Sequence, residues 1–387
     1  MKQIGLRTVF MRGGTSKAVM FRAEDLPRDR AQWAPIFLGV IGSPDANGRQ
    51  LDGMGGGVSS LSKVCVIGAS TRAEADVDYT FAQVSVTGAA VDYSGNCGNM
   101  SSAVGPFAVD EGLVKAVGDE AVVRIHNTNT QKIIVAHFGI DDGHAAVEGD
   151  FVLPGVAGTG APIRLDFLDP GGAGTGRLLP TGNVADQLEI AGAGVVDASM
   201  VDAANPCVFI LAEALGMTGI EMPDALDANR DLLDRLEAIR VAASLRMGIA
   251  RTAAEAASKP SIPKVAMVTG PREARTLAGD RIAAEAADLT VRMISIGQPH
   301  RAVPLTGAMC LAVASRLPGS LAHRVARAPA SSDQPVRIAQ PSGLTLVGAA
   351  VRGSADGWIA DQATVYRTAR RLMEGIVFVR ASAFSAK

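Results

Sequence analysis

Two residues of this chain have the surroundings that reactive groups need: Cys97 and Lys63. Cys97 lies in Ser94-Gly95-Asn96-Cys97-Gly98-Asn99, ahead of the small, apolar run Met100-Ser101-Ser102-Ala103-Val104-Gly105-Pro106-Phe107-Ala108-Val109. That order predicts a strand end giving way to a buried helix with the thiol at its start. Unpaired N–H groups and the positive end of the helix dipole there would polarise the thiol and receive a carboxylate. Lys63 opens the apolar run Lys63-Val64-Cys65-Val66-Ile67 with no acidic neighbour within several residues. If its side chain points inward, the ammonium form is disfavoured and the amine becomes a general base. Each residue has a plain alternative as well: a strand-end lysine that reaches back to solvent, and a small core thiol.

A third cluster, Arg12-Gly13-Gly14-Thr15-Ser16-Lys17, collects donors suited to a polyanion in one short loop. It is equally a turn between hairpin strands. The Walker spacing is absent, and no G-x-G-x-x-G joins a strand to a helix, so no nucleotide cofactor is expected. Cys65, Cys97, Cys207 and Cys310 show no C-x-x-C spacing, and the five histidines form no H-E-x-x-H. Neither a metal site nor a disulfide framework is expected.

The elements that must position these groups are strands and a few buried helices. Strand-like runs fall at 8–11, 64–67, 77–86, 121–126 and 133–138 in the first half, and at 195–201, 207–211, 264–268, 289–295 and 344–351 in the second. Each half is interrupted by a small-residue helix, one near Cys97 and one at Gly307-Ala308-Met309-Cys310-Leu311-Ala312-Val313-Ala314. The reading is two comparable α+β domains, each wrapping a sheet around a central helix. The boundary is placed at 184/185, after the turn-rich 169–183. The amphipathic stretch 226–247, with Leu232, Leu236, Ile239 and Leu245 as core positions, is read as an insertion outside the second domain.

With 387 residues, 48% of them hydrophobic and 20% charged, the chain can bury a large core. A net charge of -2 without a basic block, together with only 4% aromatic residues, argues against nucleic acid as a partner. The N-terminus alternates like a strand and carries no signal-peptide pattern, and no segment approaches the length of a membrane span. A cytoplasmic location is expected, and a homodimer is compatible with this reading.

Several motifs together resemble the PrpF family: Arg12-Gly13-Gly14-Thr15-Ser16-Lys17, Gly42-Ser43-Pro44-Asp45, Asp52-Gly53-Met54-Gly55-Gly56 with Ser62-Lys63, Gly95-Asn96-Cys97-Gly98-Asn99, Leu179-Pro180-Thr181-Gly182-Asn183 and Pro341-Ser342-Gly343. The resemblance runs in order over nearly the whole chain. It implies two pseudo-symmetric diaminopimelate-epimerase-like domains, the first completed by the strand at 375–380 and the second spanning 185–374. It also implies catalysis without metal or organic cofactor on a small unsaturated di- or tricarboxylate. The family's lysine and cysteine fall on Lys63 and Cys97. Substrate contacts are then expected from Arg12, Gly14, Thr15, Ser16, Lys17, Ser59, Ser60, Asn96, Gly98 and Asn99, and in the second domain from Thr306, Gly307, Ala308 and Met309.

The implied reaction is a 1,3-allylic proton shift or cis-trans isomerisation of a 2-methylaconitate-like substrate, with Lys63 as general base. Ala18 stands where the family usually has glycine, and 57–62 departs from the wording associated with oxalomesaconate enzymes. Alternatives are a 4-oxalomesaconate tautomerase, a two-base amino-acid racemase using Cys97 and Cys310, and a non-catalytic carboxylate-binding accessory protein. Cys310, inside an apolar helix, reads as core.

Overall fold

The structure, a computed structural model, describes residues 2–93, 95–190, 194–295, 297–331, 334–355 and 357–384. Ser94 of the cysteine loop lies outside them. The chain is α+β and divides into two compact units: one runs to Asp166 and resumes at Tyr366, and the other is Phe167–Val365.

In the first unit β1 (Gln3–Gly13) turns through Gly14 and Thr15 into β2 (Ser16–Arg22). Helix α1 (Trp33–Ile41) then leads toward β3 (Lys63–Ala69), which lies parallel to β2. Parallel neighbours need such a crossover. The sequence reading omits α1, whose buried Trp33, Ile36, Phe37, Val40 and Ile41 recur at helical spacing but whose other positions, Ala34, Pro35, Leu38 and Gly39, supply no polar face to mark it. β4 (Val77–Val84) runs antiparallel to β3, and α2 (Gly98–Asp110) follows. β5 (Glu120–Asn127) is parallel to β4, and β6 (Lys132–Asp141) closes back on β5.

The second unit repeats this order. β7 (Gly194–Asp202) pairs antiparallel with β8 (Pro206–Leu211), and α3 (Arg230–Arg246) leads to β9 (Lys264–Thr269), parallel to β8. β10 (Leu289–Ser295), α4 (Leu305–Ser315), β11 (Val336–Gln340) and β12 (Gly343–Ser354) then match β4, α2, β5 and β6 in pairing sense. β13 (Gly357–Arg367) pairs with β12, and β14 (Ala369–Arg380) returns along β1 from Gly13 to Gln3.

Three expectations change. The stretch 226–247 is not an extra insertion, because α3 fills the crossover place that α1 fills in the first unit. Its Leu232, Leu236 and Ile239 pack on Met200, Val208, Ile210, Val265 and Met267, while Leu245 is 39% exposed and Ala243 and Met247 face the core. The unit boundary falls at Asp166/Phe167, since the turn-rich 169–183 is tied into the second unit: Asp202 Oδ2 accepts from Gly174 N (2.8 Å), Thr175 N (2.7 Å) and Thr175 Oγ1 (2.8 Å). The return to the first unit comes at Tyr366 rather than 375, because β14 pairs with β1 over its whole length.

Strand alternation decides what faces each central helix. Val64 and Val66 join Val19, Phe21, Ile36 and Phe37 in the cluster beneath α1. Lys63 and Cys65 therefore point to the opposite face, where α2 lies. By the same parity Val265 and Met267 face α3, and Lys264 and Ala266 face α4.

Candidate active site

Lys63 is only 7% exposed. Its register partner across the hairpin is Gln83. Lys63 Nζ donates to Gln83 Oε1 and stands 5.1 Å from the centroid of the Phe81 ring. Gln83 Nε2 in turn donates to Ser62 O (2.9 Å) and Ser59 O (3.1 Å), so one amide ties the lysine to the turn that precedes it. Ser59 is exposed and Ser60 half-buried on that turn. The segment before it is held by Gln50, whose Oε1 accepts from Ser62 Oγ (2.7 Å) and Gly57 N (2.9 Å) and whose Nε2 donates to Ser43 Oγ (2.9 Å). Asp45 accepts from the backbone N–H groups of Asn47 (2.9 Å), Arg49 (3.0 Å) and Gln50 (2.6 Å). These bonds, Asn47's first, hold the Asp45 carboxyl below its usual range. The Gly42–Asp45 motif is thus scaffolding for the approach to Lys63. A cavity of about 890 Å³ lined by Ser43, Pro44, Asp45 and Arg380 includes neither Lys63 nor Cys97.

Cys97 is the N-cap residue of α2, half-buried and free, and its side chain makes no capping hydrogen bond. Its carbonyl accepts from Ser101 N (2.9 Å), the first intrahelical bond. The N–H groups of Gly98 and Asn99 precede that ladder and have no intrahelical acceptor. Beneath them lies Cys65, on the same face of β3 as Lys63 and within electrostatic reach of both Lys63 and Cys97. Burial pushes the Cys65 thiol far up, so it stays protonated. Asn96 is otherwise engaged, with Oδ1 accepting from Asn127 Nδ2 (3.2 Å) and Ser101 Oγ (3.3 Å).

The hairpin tip beside α2 explains its glycines. A Cβ on Gly13 would stand 2.7 Å from Asn99 O, and Gly14, at φ +51°, has the Asn99 amide where a side chain would go. Asn99 Nδ2 donates to Thr15 Oγ1 (3.1 Å), and Ser16 is buried on the α2 face. Arg12 and Lys17 are register partners with the parity of Phe10 and Val19, which places both on the face away from α2. Arg12 Nη1 donates to Gly14 O (3.0 Å) and Thr368 O (2.9 Å), and Lys17 Nζ lies 5.6 Å from the Phe10 ring centroid. Strand alternation therefore separates these two cations from Ser16, Lys63 and Cys97. The residue that does reach Gly14 and Asn99 is Arg367, more than 260 positions away in sequence. No motif signals it.

In the second unit α4 begins after Pro304. Thr306 and Gly307 precede the helical ladder, but Ala308 N already donates to Pro304 O (2.8 Å) and Met309 follows it, so only the first two offer free N–H groups. Gly307 is required because Met293 Sδ occupies its side-chain position, with Lys264 Cδ 3.7 Å away. Lys264 Nζ donates to Ser261 O (3.2 Å), and burial lowers its pKa. Cys310 is fully buried, donates to Val201 O (3.3 Å) and has its pKa pushed well up by desolvation. Among the described residues no cluster of three or more His, Cys, Asp or Glu could hold a metal ion.

Residues 3–380 match the PrpF protein family. The chain belongs to that family. It is 45% identical to the 3-methylitaconate isomerase of Eubacterium barkeri over 97% of this chain and 98% of that one. It is 41% identical to the 2-methyl-aconitate isomerase of Shewanella oneidensis over 97% of both. Among solved structures, a methylitaconate-delta-isomerase superposes with a TM-score of 0.91 at 42% identity, covering 100% of this chain and 98% of that one. A hydroxyproline epimerase from Agrobacterium vitis, at 13% identity and a TM-score of 0.52 over 97% and 92%, shares the fold. As a member of the PrpF family the protein is an isomerase. Among the described residues no helix is long and apolar enough to cross a membrane.

Proposed function

We propose that this PrpF-family isomerase acts on a small unsaturated di- or tricarboxylate of the methylitaconate or 2-methylaconitate kind, by a 1,3-allylic proton shift with Lys63 as general base. The observation that carries this reading is the setting of Lys63: a buried amine on the α2 face, held by an amide oxygen and not by a carboxylate, with the Cys97 thiol at the start of the same helix. The amine form of Lys63 removes a proton from the carbon next to the alkene, and the C–H electron pair spreads over the alkene and its carboxylate as a dienolate. The N–H groups of Gly98 and Asn99 hold that carboxylate where negative charge develops. A proton returns to the far allylic carbon, the double bond moves one position, and Lys63 is an amine again. Cys97 serves as partner acid or as a positioning group. The identity to methylitaconate and methylaconitate isomerases supports this choice of substrate.

Turnover in deuterated water tests the reaction. The wild type is expected to place deuterium at the allylic carbon, because lysine exchanges its protons with solvent. Lys63→Ala should retain essentially no activity and Cys97→Ser a small residue. Thiol addition to the alkene, rotation and elimination would instead give unlabelled product, a dead Cys97→Ser and an active Lys63→Ala. That pattern would replace the proton shift.

A further inference from the structure

Arg240, Arg292 and Arg367 are each buried, at 2%, 2% and 8% exposure, and their partners separate them into two kinds. Arg240 faces the Glu237 carboxylate through Nε (2.7 Å) and Nη2 (2.6 Å) and also donates to Ala256 O (2.9 Å). Arg292 is wrapped by carbonyls, with Glu221 O at 2.5 Å from Nε, Val291 O at 2.9 Å from Nη1 and Ile220 O at 2.9 Å from Nη2. Both are fully engaged by the fold. Arg367 is not. Its Nε donates to Asn99 Oδ1 at a long 3.3 Å and its Nη1 to the carbonyl of its neighbour Tyr366 (2.7 Å). Among the described residues Nη2 has no partner, and no carboxylate pairs with the guanidinium. Burial alone pushes its pKa down to about 10, with no opposing anion.

A buried charge without a counter-ion is unfavourable, and an anionic ligand removes the penalty. The surroundings say which anion fits. A Cβ on Gly14 would lie 3.2 Å from Arg367 Cδ, so the absent side chain leaves the guanidinium beside the hairpin tip. Asn99, which takes the Nε hydrogen bond, is also the second residue of α2 and donates to Thr15 Oγ1. A planar guanidinium fork next to free helix N–H groups is suited to a carboxylate.

We propose that Arg367 binds a substrate carboxylate, supplying at the tip of the β1–β2 hairpin the positive charge that strand alternation withholds from Arg12 and Lys17. The assignment rests on the reading of the substrate as a small carboxylate. It predicts a role for a residue on the strand that returns to the first unit, far in sequence from the motifs that surround Lys63 and Cys97.

The test uses tricarballylate, a saturated tricarboxylate with no alkene to isomerise, titrated calorimetrically into the wild type, Arg367→Lys and Arg367→Met. Each protein is also melted without ligand. Arg367→Met is expected to bind about 30-fold more weakly or worse, the lower end of what losing one partner of a buried charge pair does. Arg367→Lys should lie between it and the wild type. The ligand-free melting temperature of Arg367→Met should equal or exceed that of the wild type, because an uncompensated charge has been removed. Unchanged affinity in Arg367→Met overturns the proposal, as does a lowered ligand-free melting temperature with affinity retained in Arg367→Lys and in whatever Arg367→Met folds. A wild type that binds tricarballylate but isomerises no unsaturated carboxylate overturns the proposed function and leaves Arg367 assigned. A wild type that isomerises, with an Arg367→Met variant of unchanged KM, overturns Arg367 alone.

Discussion

The two units share one pairing order and place a lysine at the same point of it, yet the groups around the two lysines differ. Lys63 and Lys264 each open the strand that lies parallel to its predecessor across a helical crossover, and each points to the side of its unit's central helix. Around Lys63 stand an amide acceptor and, at the helix start, the half-buried Cys97. Around Lys264 stand the Ser261 carbonyl and the half-buried His300, and the helix start holds Pro304 instead of a thiol. The two thiols of that unit are both buried: Cys207 on β8 is the register partner of Lys264, and Cys310 lies within the helix and donates to a backbone carbonyl. The repeated topology thus keeps a lysine at the same strand position in both units, whereas the cap of the central helix is a half-buried thiol in the first unit and a proline in the second. The comparison favours one working lysine and one working thiol, both in the first unit.

The largest expected effect breaks the equivalence of the two lysines. Lys63→Met should lower kcat by about a thousandfold or more, within the range lost with a general base, while Lys264→Met should fall short of that by at least about tenfold. Following the alkene absorbance of a methylitaconate-like substrate measures both. Equal losses would mean that the two units contribute equally to proton transfer.

The thiols come next. Cys97→Ser should reduce kcat by about 10- to 100-fold and abolish inactivation by iodoacetamide, and tricarballylate should slow that inactivation in the wild type. A rate of alkylation indifferent to the ligand would put the reactive thiol elsewhere.

A pH effect sharpens the contrast at the second lysine. Burial, and secondarily Lys264, pushes the pKa of His300 down from 6.5 to about 4, and its Nε2 is buried without a partner among the described residues. The folded state therefore prefers the neutral ring. Between pH 6.5 and 4 the unfolded chain takes up the proton that the folded chain refuses, so this contribution is fully present above 6.5 and is lost as pH falls toward 4. His300→Phe should melt less steeply with falling pH than the wild type over that window, with the two curves parallel above pH 7. Curves parallel throughout would place His300 in water.

Much of this was legible in the residues. Nine of the ten strand-like runs fall within strands and the tenth, 77–86, overruns its strand by two residues, because alternating or β-branched apolar stretches bounded by glycine and polar turns have few other ways to pack. The position of Cys97 as helix cap was also readable from small residues following Asn96. What was hidden is long-range. Whether Arg12 or Arg367 reaches Asn99 depends on the β1–β2 register and on a return strand more than 350 residues later, and single-sequence periodicity carries neither. Gln83 could have been found by counting across the β3–β4 hairpin from Lys63, whereas Gln50 acts through a loop whose course no local pattern fixes. The second crossover helix was visible but misread as an insertion, since its counterpart α1 has no polar face to mark it as a helix.

The smallest expected effect is the one that most directly separates this protein from a two-thiol enzyme. Cys310 is fully buried and donates to Val201 O, with the Cys207 thiol in hydrogen-bonding reach, so a serine there keeps the geometry and donates a stronger hydrogen bond while burying a more polar atom. These terms oppose each other, and the net change in stability should be about 1 kcal/mol, within the usual cost of one buried hydroxyl. Because desolvation holds the thiol protonated, no thiolate is lost by the change. Cys310→Ser is therefore expected to leave kcat and KM within about twofold of the wild type, as distant core substitutions usually do, and to remain as sensitive to iodoacetamide as the wild type. Proton exchange at the allylic carbon should also be unchanged. Loss of turnover in a variant that melts normally would restore Cys310 to the chemistry, and with it the symmetry between the units that the half-buried Cys97 and the sealed Cys310 now divide.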